Sequence, residues 1–197
     1  MAYEEPRYEV VHQADGYEVR RYDDRLAAQV TRNANQNNAF RLLFSYISGA
    51  NTSSERVDMT VPVAQSEKIA MTVPVTMEPK PGSSEKIAMT APVTMETQKT
   101  SPGQWRMFFV MSGKYTLANL PTPTSPEVKL REIPPQKKAV ITYTGFNSEE
   151  KTQEKAQELR TWLKAKNIAP TSEPQLARYN PPWSIPFLRR NEVMFDY

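Results

Sequence analysis

Val57-Asp-Met-Thr-Val-Pro-Val63, Ile69-Ala-Met-Thr-Val-Pro-Val75 and Ile87-Ala-Met-Thr-Ala-Pro-Val93 are one phrase written three times. The last two copies belong to a longer repeat, since Ser66 to Glu78 and Ser84 to Glu96 differ only at Val73 against Ala91. The copies are offset by 12 and then 18 residues, both even, so a strand of period two keeps one face throughout. Val57, Met59, Val61 and Val63 share that face, as do Ile69, Met71, Val73, Val75 and Met77, and Ile87, Met89, Val93 and Met95. Pro62, Pro74 and Pro92 fall on the opposite phase. Proline cannot donate to a ladder, so each copy is expected at an edge strand, a strand end or a bulge. The segment thus reads as duplicated strand-loop-strand structure on a sheet rim, with Pro79-Lys-Pro-Gly82 as a turn.

Working outward, Tyr8 to His12 and Tyr17 to Tyr22 flank Ala14-Asp15-Gly16, a hairpin signal, and Leu26 to Thr31 is a third strand. Asn33 to Asn38 supplies cap formers before Ala39 to Ser48, where Phe40, Leu43, Phe44 and Ile47 make one helical stripe that Gly49 stops. Beyond the repeats, Trp105 to Met111 is β-prone and Leu120 to Pro126 is a proline-rich loop. Val128 to Ile133 and Ala139 to Thr144 read as strands about Pro134-Pro135. Asn147-Ser-Glu-Glu150 has capping-box spacing and opens a helix to about Lys166, with Ala156, Leu159, Trp162 and Leu163 inward. Tyr179 to Pro186 is too rich in proline for regular structure, and Arg189 to Tyr197 reads as a closing strand. The two halves rhyme in strands and helix. They predict an α+β domain made of two related halves, the strands curling into one antiparallel sheet or barrel with two helices against it.

Composition narrows the chemistry. The 197 residues are 39% hydrophobic and 24% charged, with net charge +3 and scattered basic residues, which gives no nucleic-acid signature. No apolar run is long enough for a membrane span, and residues 1–6 lack a signal-peptide pattern, so a soluble, cytoplasmic protein is expected. With no cysteine and one histidine, His12, thiolate and zinc chemistry are unsupported, and a Ser-His-Asp triad has only His12 to rest on. Only six glycines are present, with no phosphate-cradling loop. Nine methionines, nine tyrosines, seven phenylalanines and three tryptophans suit binding of a large flat ligand better than turnover.

Four stretches resemble the SOUL haem-binding family: Tyr17-Glu-Val-Arg-Arg-Tyr22, Ala39 through Asn51, Lys86-Ile-Ala-Met-Thr-Ala-Pro-Val93, and Tyr179-Asn-Pro-Pro-Trp183 with Pro186 to Val193. They occur in the family's order along nearly the whole chain, which resembles a bacterial-type member carrying a repeated Met-Thr-Ala-Pro-Val segment. The resemblance implies an α+β fold, a distorted antiparallel β-barrel built of two pseudo-symmetric halves with two helices packed against it, as a single domain over residues 1–197 with a repeat-bearing hairpin insertion at about 54–100. It also implies reversible binding of haem or a related tetrapyrrole, without catalysis, in an apolar groove by the first helix and the loop before the last strand. On this sequence it points to Phe40, Leu43 and Phe44 with Tyr179 and Trp183, and a carboxylate-bearing disc calls for a cation such as Arg41, Arg189 or Arg190. His12 is the one imidazole candidate for the iron, which methionine or tyrosine also ligates in some proteins. Two other readings stand beside it: a tetrapyrrole-modifying or small-molecule hydrolytic enzyme on this scaffold, and a protein-interaction module. Repeat strands exposed at an edge would favour a dimer.

Overall fold

The computed structural model of the chain describes residues 4–32, 36–52, 84–97, 104–180 and 184–197. In order these form β1 (Tyr8–Ala14), β2 (Tyr17–Tyr22), β3 (Arg25–Arg32), α1 (Gln36–Ile47), β4 (Asn51–Thr52), β5 (Val93–Thr97) and β6 (Trp105–Val110). The second half adds β7 (Thr122–Pro123), β8 (Lys129–Ile133), β9 (Gln136–Thr144), α2 (Glu149–Ala165), β10 (Gln175–Arg178), a 3-10 turn (Pro186–Leu188) and β11 (Arg190–Asp196). Nine strands make one antiparallel sheet in the order β1-β2-β9-β11-β10-β5-β6-β3-β8, while β4 and β7 pair separately.

Two short links force this sheet to curl. Asp23-Asp24 joins β2, second from one edge, to β3, second from the other, and Pro134-Pro135 joins edge strand β8 to β9, third from the far edge. Each link spans about 11 Å when extended. In a flat sheet the strands so joined would lie roughly 30 Å apart. Only a sheet rolled on itself satisfies both, and the result is the expected α+β fold with its curled sheet forming a half-barrel. The halves meet between β10 and β5. On one side α2 follows β9 and packs on β9 and β11; on the other α1 follows β3 and packs on β3 and β6.

Both helices lie on the outer face. Leu43, Tyr46 and Ile47 of α1 close over Ala28, Val30, Met107 and Phe109. Ala156, Leu159, Trp162 and Leu163, the buried residues of α2, cover Ala139, Ile141, Val193 and Phe195. Ser148 caps α2 by accepting from the Lys151 amide at 3.2 Å, the reciprocal of the exposed donors at a helix start. The first hairpin turns on Asp15 and Gly16, both at positive φ (55° and 82°), the left-handed pair a two-residue turn needs.

Of the three repeated phrases, the first two lie outside the described residues, as does the expected Pro79–Gly82 turn. The third behaves differently from a rim strand. Ile87, Met89, Val93 and Met95 do share one face and all enter the core under α1. The ladder, however, starts only at Val93, after Pro92, and β5 then sits inside the sheet between β10 and β6. The proline marks the start of a strand that has partners on both sides. Asn51 holds the phrase in place: its amide donates to the carbonyls of Tyr46 and Glu85, both at 2.8 Å, and its oxygen accepts from the Glu85 amide at 2.9 Å.

Candidate functional site

The expected ligand residues separate into three places. On α1, Phe40 and Phe44 are one turn apart and stack with ring centroids 6.0 Å apart and planes tilted by 13°. Phe40 also meets the edge of Phe109 at 5.7 Å, which fixes it against the sheet. The two rings stay 36% and 47% exposed, forming an apolar wall on the surface. Arg41, beside them, is exposed. Leu43, fully buried, belongs to the core and presents no surface to a ligand.

The second place is the loop before β11. Arg189 donates from Nε to the Ser184 carbonyl at 2.9 Å and lays its guanidinium over Phe146 at 5.3 Å. Around it Phe146, Ile185, Phe187 and Leu188 are all more than half exposed. Trp183 lies outside the described residues. The third place is the α2 side, where His12 of β1 stacks on Trp162 with centroids 6.3 Å apart. That imidazole stacks on α2, whereas Phe40 and Phe44 stand on α1. Tyr179 joins none of these, because it is buried and turns inward.

What it turns toward is a charged interior with no apolar signal in the sequence. Glu192 is fully buried and accepts two bonds from Arg20 (2.9 and 3.0 Å), two from Arg190 (2.8 and 3.0 Å), one from the Tyr179 hydroxyl (2.6 Å) and one from Thr142 (3.3 Å). Arg190 also lies 3.8 Å over the Tyr179 ring. Burial alone would raise the carboxyl pKa, but the Arg20 guanidinium, with Tyr179 and Arg190, holds it below the ordinary 4.5. Burial, followed by the adjacent Glu192 charge, drives the Tyr179 phenol far above its usual range. An ionised carboxylate with every lone pair taken is a structural hub and a poor base. Asp196 repeats the arrangement with Lys138 and Gln175.

The inside of the roll is nearly full. The void bounded by Tyr22, Arg25, Phe108, Lys138 and Tyr179 holds about 20 Å³, room for a single water. A larger open groove of about 1000 Å³ lies at one mouth, walled by Met111, Leu117 and Ile133. Glu4, Glu5, Asp23, Asp24 and Glu132 rim it against only Arg7, Arg25 and Lys114, a balance that repels a dianion. Among the described residues, no group of three His, Cys, Asp or Glu side chains is placed to hold a metal ion, and no helix is long and apolar enough to cross a membrane.

A porphyrin dicarboxylate therefore fits one of these surfaces in chemistry: a flat apolar wall, Phe40 and Phe44, with a guanidinium, Arg41, alongside. No imidazole accompanies it there.

Comparison with known proteins agrees with the architecture. The family model for SOUL heme-binding protein matches residues 3–86 and again 80–196, the two matches overlapping between the second and third phrases. No curated protein matches. Among solved structures, the EcmrR C-terminal domain superposes with TM-score 0.54 at 11% identity, covering 96% of each chain. A hydrolase from Listeria innocua superposes with TM-score 0.55 at 10% identity, covering 99% of this chain and 92% of that one. A second Listeria innocua hydrolase gives 0.56 at 10% identity over 91% and 90%. At such identities these likenesses are of fold.

Proposed function

Because the chain belongs to the SOUL haem-binding family, we propose that it binds haem or a related tetrapyrrole reversibly, as a carrier or sensor and not as a catalyst. The observation that carries this is the exposed, nearly parallel Phe40–Phe44 pair on the outer face of α1. A macrocycle is an apolar disc, and burying it against two fixed rings removes apolar area from water while the rings lose little freedom. Arg41 is the anchor for a propionate, as a charge-assisted pair at the rim. When bound, the haem would be held against Phe40 and Phe44 with Arg41 at a propionate, and its iron would supply redox or small-ligand chemistry there. His12, on the α2 side, is not called on.

The hydrolytic alternative would need a carboxylate free to activate water. Glu192, the buried acid nearest Tyr179, is committed to Arg20, Arg190 and Thr142 as well.

Haemin titration followed by absorption spectroscopy tests the proposal on wild type, Phe40→Ser/Phe44→Ser and His12→Ala. One saturable equivalent is expected in wild type and in His12→Ala, with affinity lowered about tenfold or more in the double variant. Absence of a saturable Soret shift in wild type would end the haem reading. An unchanged affinity in the double variant would move the site off α1, and loss in His12→Ala alone would place it on the α2 side.

A further inference from the structure

The most exposed large apolar side chains among the described residues meet at one place. Phe146 follows β9, and Ile185, Phe187 and Leu188 belong to the loop before β11. They are 72%, 52%, 70% and 62% exposed. Two contacts join the loops into a single tip: the Asn191 amide donates to the Gly145 carbonyl at 3.2 Å, and the Arg189 guanidinium lies 5.3 Å over the Phe146 ring.

The backbone holds these side chains out. Pro186–Leu188 is a 3-10 turn closed by the Leu188 amide, which donates to the Ile185 carbonyl at 3.0 Å, and by the Arg189 amide, which donates to the Pro186 carbonyl at 3.1 Å. Side chains three apart are eclipsed in such a turn, which puts Ile185 and Leu188 on one side of it. Pro186 opens the turn with its φ fixed by the ring. Asn180 anchors the base of the loop, its Oδ1 accepting from the Arg190 amide at 2.7 Å. The turn therefore has little backbone freedom left to lose when it is buried.

The shape, size and charge of the tip select what covers it. Each side chain is more than half exposed, so the tip is convex, unlike the hollow a small ligand needs. Together the four offer roughly 500 Å² of apolar surface, near the upper end of what a monomer leaves bare and short of the ~800 Å² per partner of a stable dimer. Between Gln175 and Asn191 the chain carries Arg178, Arg189 and Arg190 and no acid. Arg190 is neutralised by Glu5 and Glu192, whereas Arg189 sits half-buried at the base of the tip. Glu149 and Glu150, the acids nearest Phe146 in sequence, open α2, so apolar insertion rather than net charge has to carry the contact. We infer that this tip docks the protein on the interface of a phospholipid bilayer, with Phe146, Phe187 and Leu188 entering the acyl boundary and Arg189 level with the phosphates. An apolar tip above a guanidinium matches the polarity of that interface, and every phospholipid carries the phosphate that arginine recognises. The α1 wall takes no part, so the inference stands whether or not a tetrapyrrole binds there.

The test is sedimentation of the full chain, without haemin, with sucrose-loaded vesicles of phosphatidylcholine, alone and mixed with phosphatidylglycerol. Reversible binding to both is expected, with an association constant on the order of 10³–10⁴ M⁻¹, up to that of a single myristoyl chain. Because insertion carries the contact, added salt should change it only a few-fold. Phe187→Ser/Leu188→Ser should weaken binding about tenfold or more and still unfold at the wild-type temperature, since both side chains are exposed. Phe40→Ser/Phe44→Ser should bind vesicles as wild type does, and haemin affinity should not change in the loop variant. Less than about a tenth of the protein bound at about 5 mM lipid overturns the inference. So does unaltered binding in the loop variant. A wild-type dimer that the loop variant dissolves would mean that a second copy covers the tip, and loss of haemin affinity in that variant would give the tip to the tetrapyrrole; either result also overturns it.

Discussion

Glu192→Gln is the substitution that most directly probes what holds the roll together. The change removes one charge and almost no volume, yet the carboxylate it replaces is fully buried and accepts from Arg20, Arg190, Tyr179 and Thr142. An amide keeps one acceptor oxygen and turns an NH2 group toward guanidinium donors that cannot accept from it. Arg20, 2% exposed, would then be a buried cation without its partner, with Glu18 at 2.6 Å as the remaining acid. Breaking a pair of this kind by removing one member costs about 3–5 kcal/mol. That is a large share of the roughly 5–15 kcal/mol that stabilises a domain.

Urea unfolding at pH 7, followed by far-ultraviolet circular dichroism, reads the loss directly. A loss below about 1 kcal/mol would refute the reasoning, because Arg20 would then be adequately paired without Glu192. The double change Arg20→Met/Glu192→Leu should recover much of the deficit, since an apolar pair need not be desolvated at the expense of charge. The pH dependence follows from the same contact. The folded carboxyl pKa lies below the ordinary 4.5, so its contribution is complete above that value and is lost as pH falls through the folded one. Wild-type stability should therefore decline in acid below pH 4.5, and Glu192→Gln should show a shallower decline over the same window.

Other changes test single joints. Asn51→Ala removes three bonds that tie the end of α1 to residue 85 and should cost about 2–3 kcal/mol in urea unfolding, with Glu85 left under-satisfied. Ser148→Ala should cost about 1 kcal/mol by uncapping α2, and Ser148→Asp should cost almost nothing. Gly145→Ala meets no atom within 4 Å but must keep φ at +107°, so its loss of about 1 kcal/mol in thermal unfolding would be backbone strain alone.

Periodicity located what faces the helices. Ala156, Leu159, Trp162 and Leu163 are the buried stripe of α2 because the 3.6-residue period has only one interpretation there. The interior of the roll was illegible for the same reason. Along β2, β9 and β11 the residues alternating with the apolar ones are Arg20, Lys138 and Glu192, and alternation assigns such a face to water. Curling turned it inward, and nothing within a single strand announces that. β10 escaped for another cause: Gln175-Leu-Ala-Arg178 is too short and too weakly β-prone to register, and it becomes a strand because β5 and β11 pair with both its edges. The candidate site divided likewise. Spacing put Phe40 and Phe44 on one apolar helical stripe and the family resemblance marked them for a ligand, whereas Glu192 as the partner of Tyr179 required the register of β10 on β11.

The strand order also bears on how this chain is made. β11 pairs with β9 and β10 in the middle of the sheet, and Arg20 finds its carboxylate 172 residues later. A nascent chain leaves the ribosome with β1, β2, β3 and α1 complete in sequence, but Arg20 is left to solvent and Glu18 until β11 emerges. Such a hairpin cannot settle early, and assembly must wait until residues 190–196 have emerged. Any interruption of translation upstream of residue 190 would release a set of edges with no middle to join them, a natural client for chaperones.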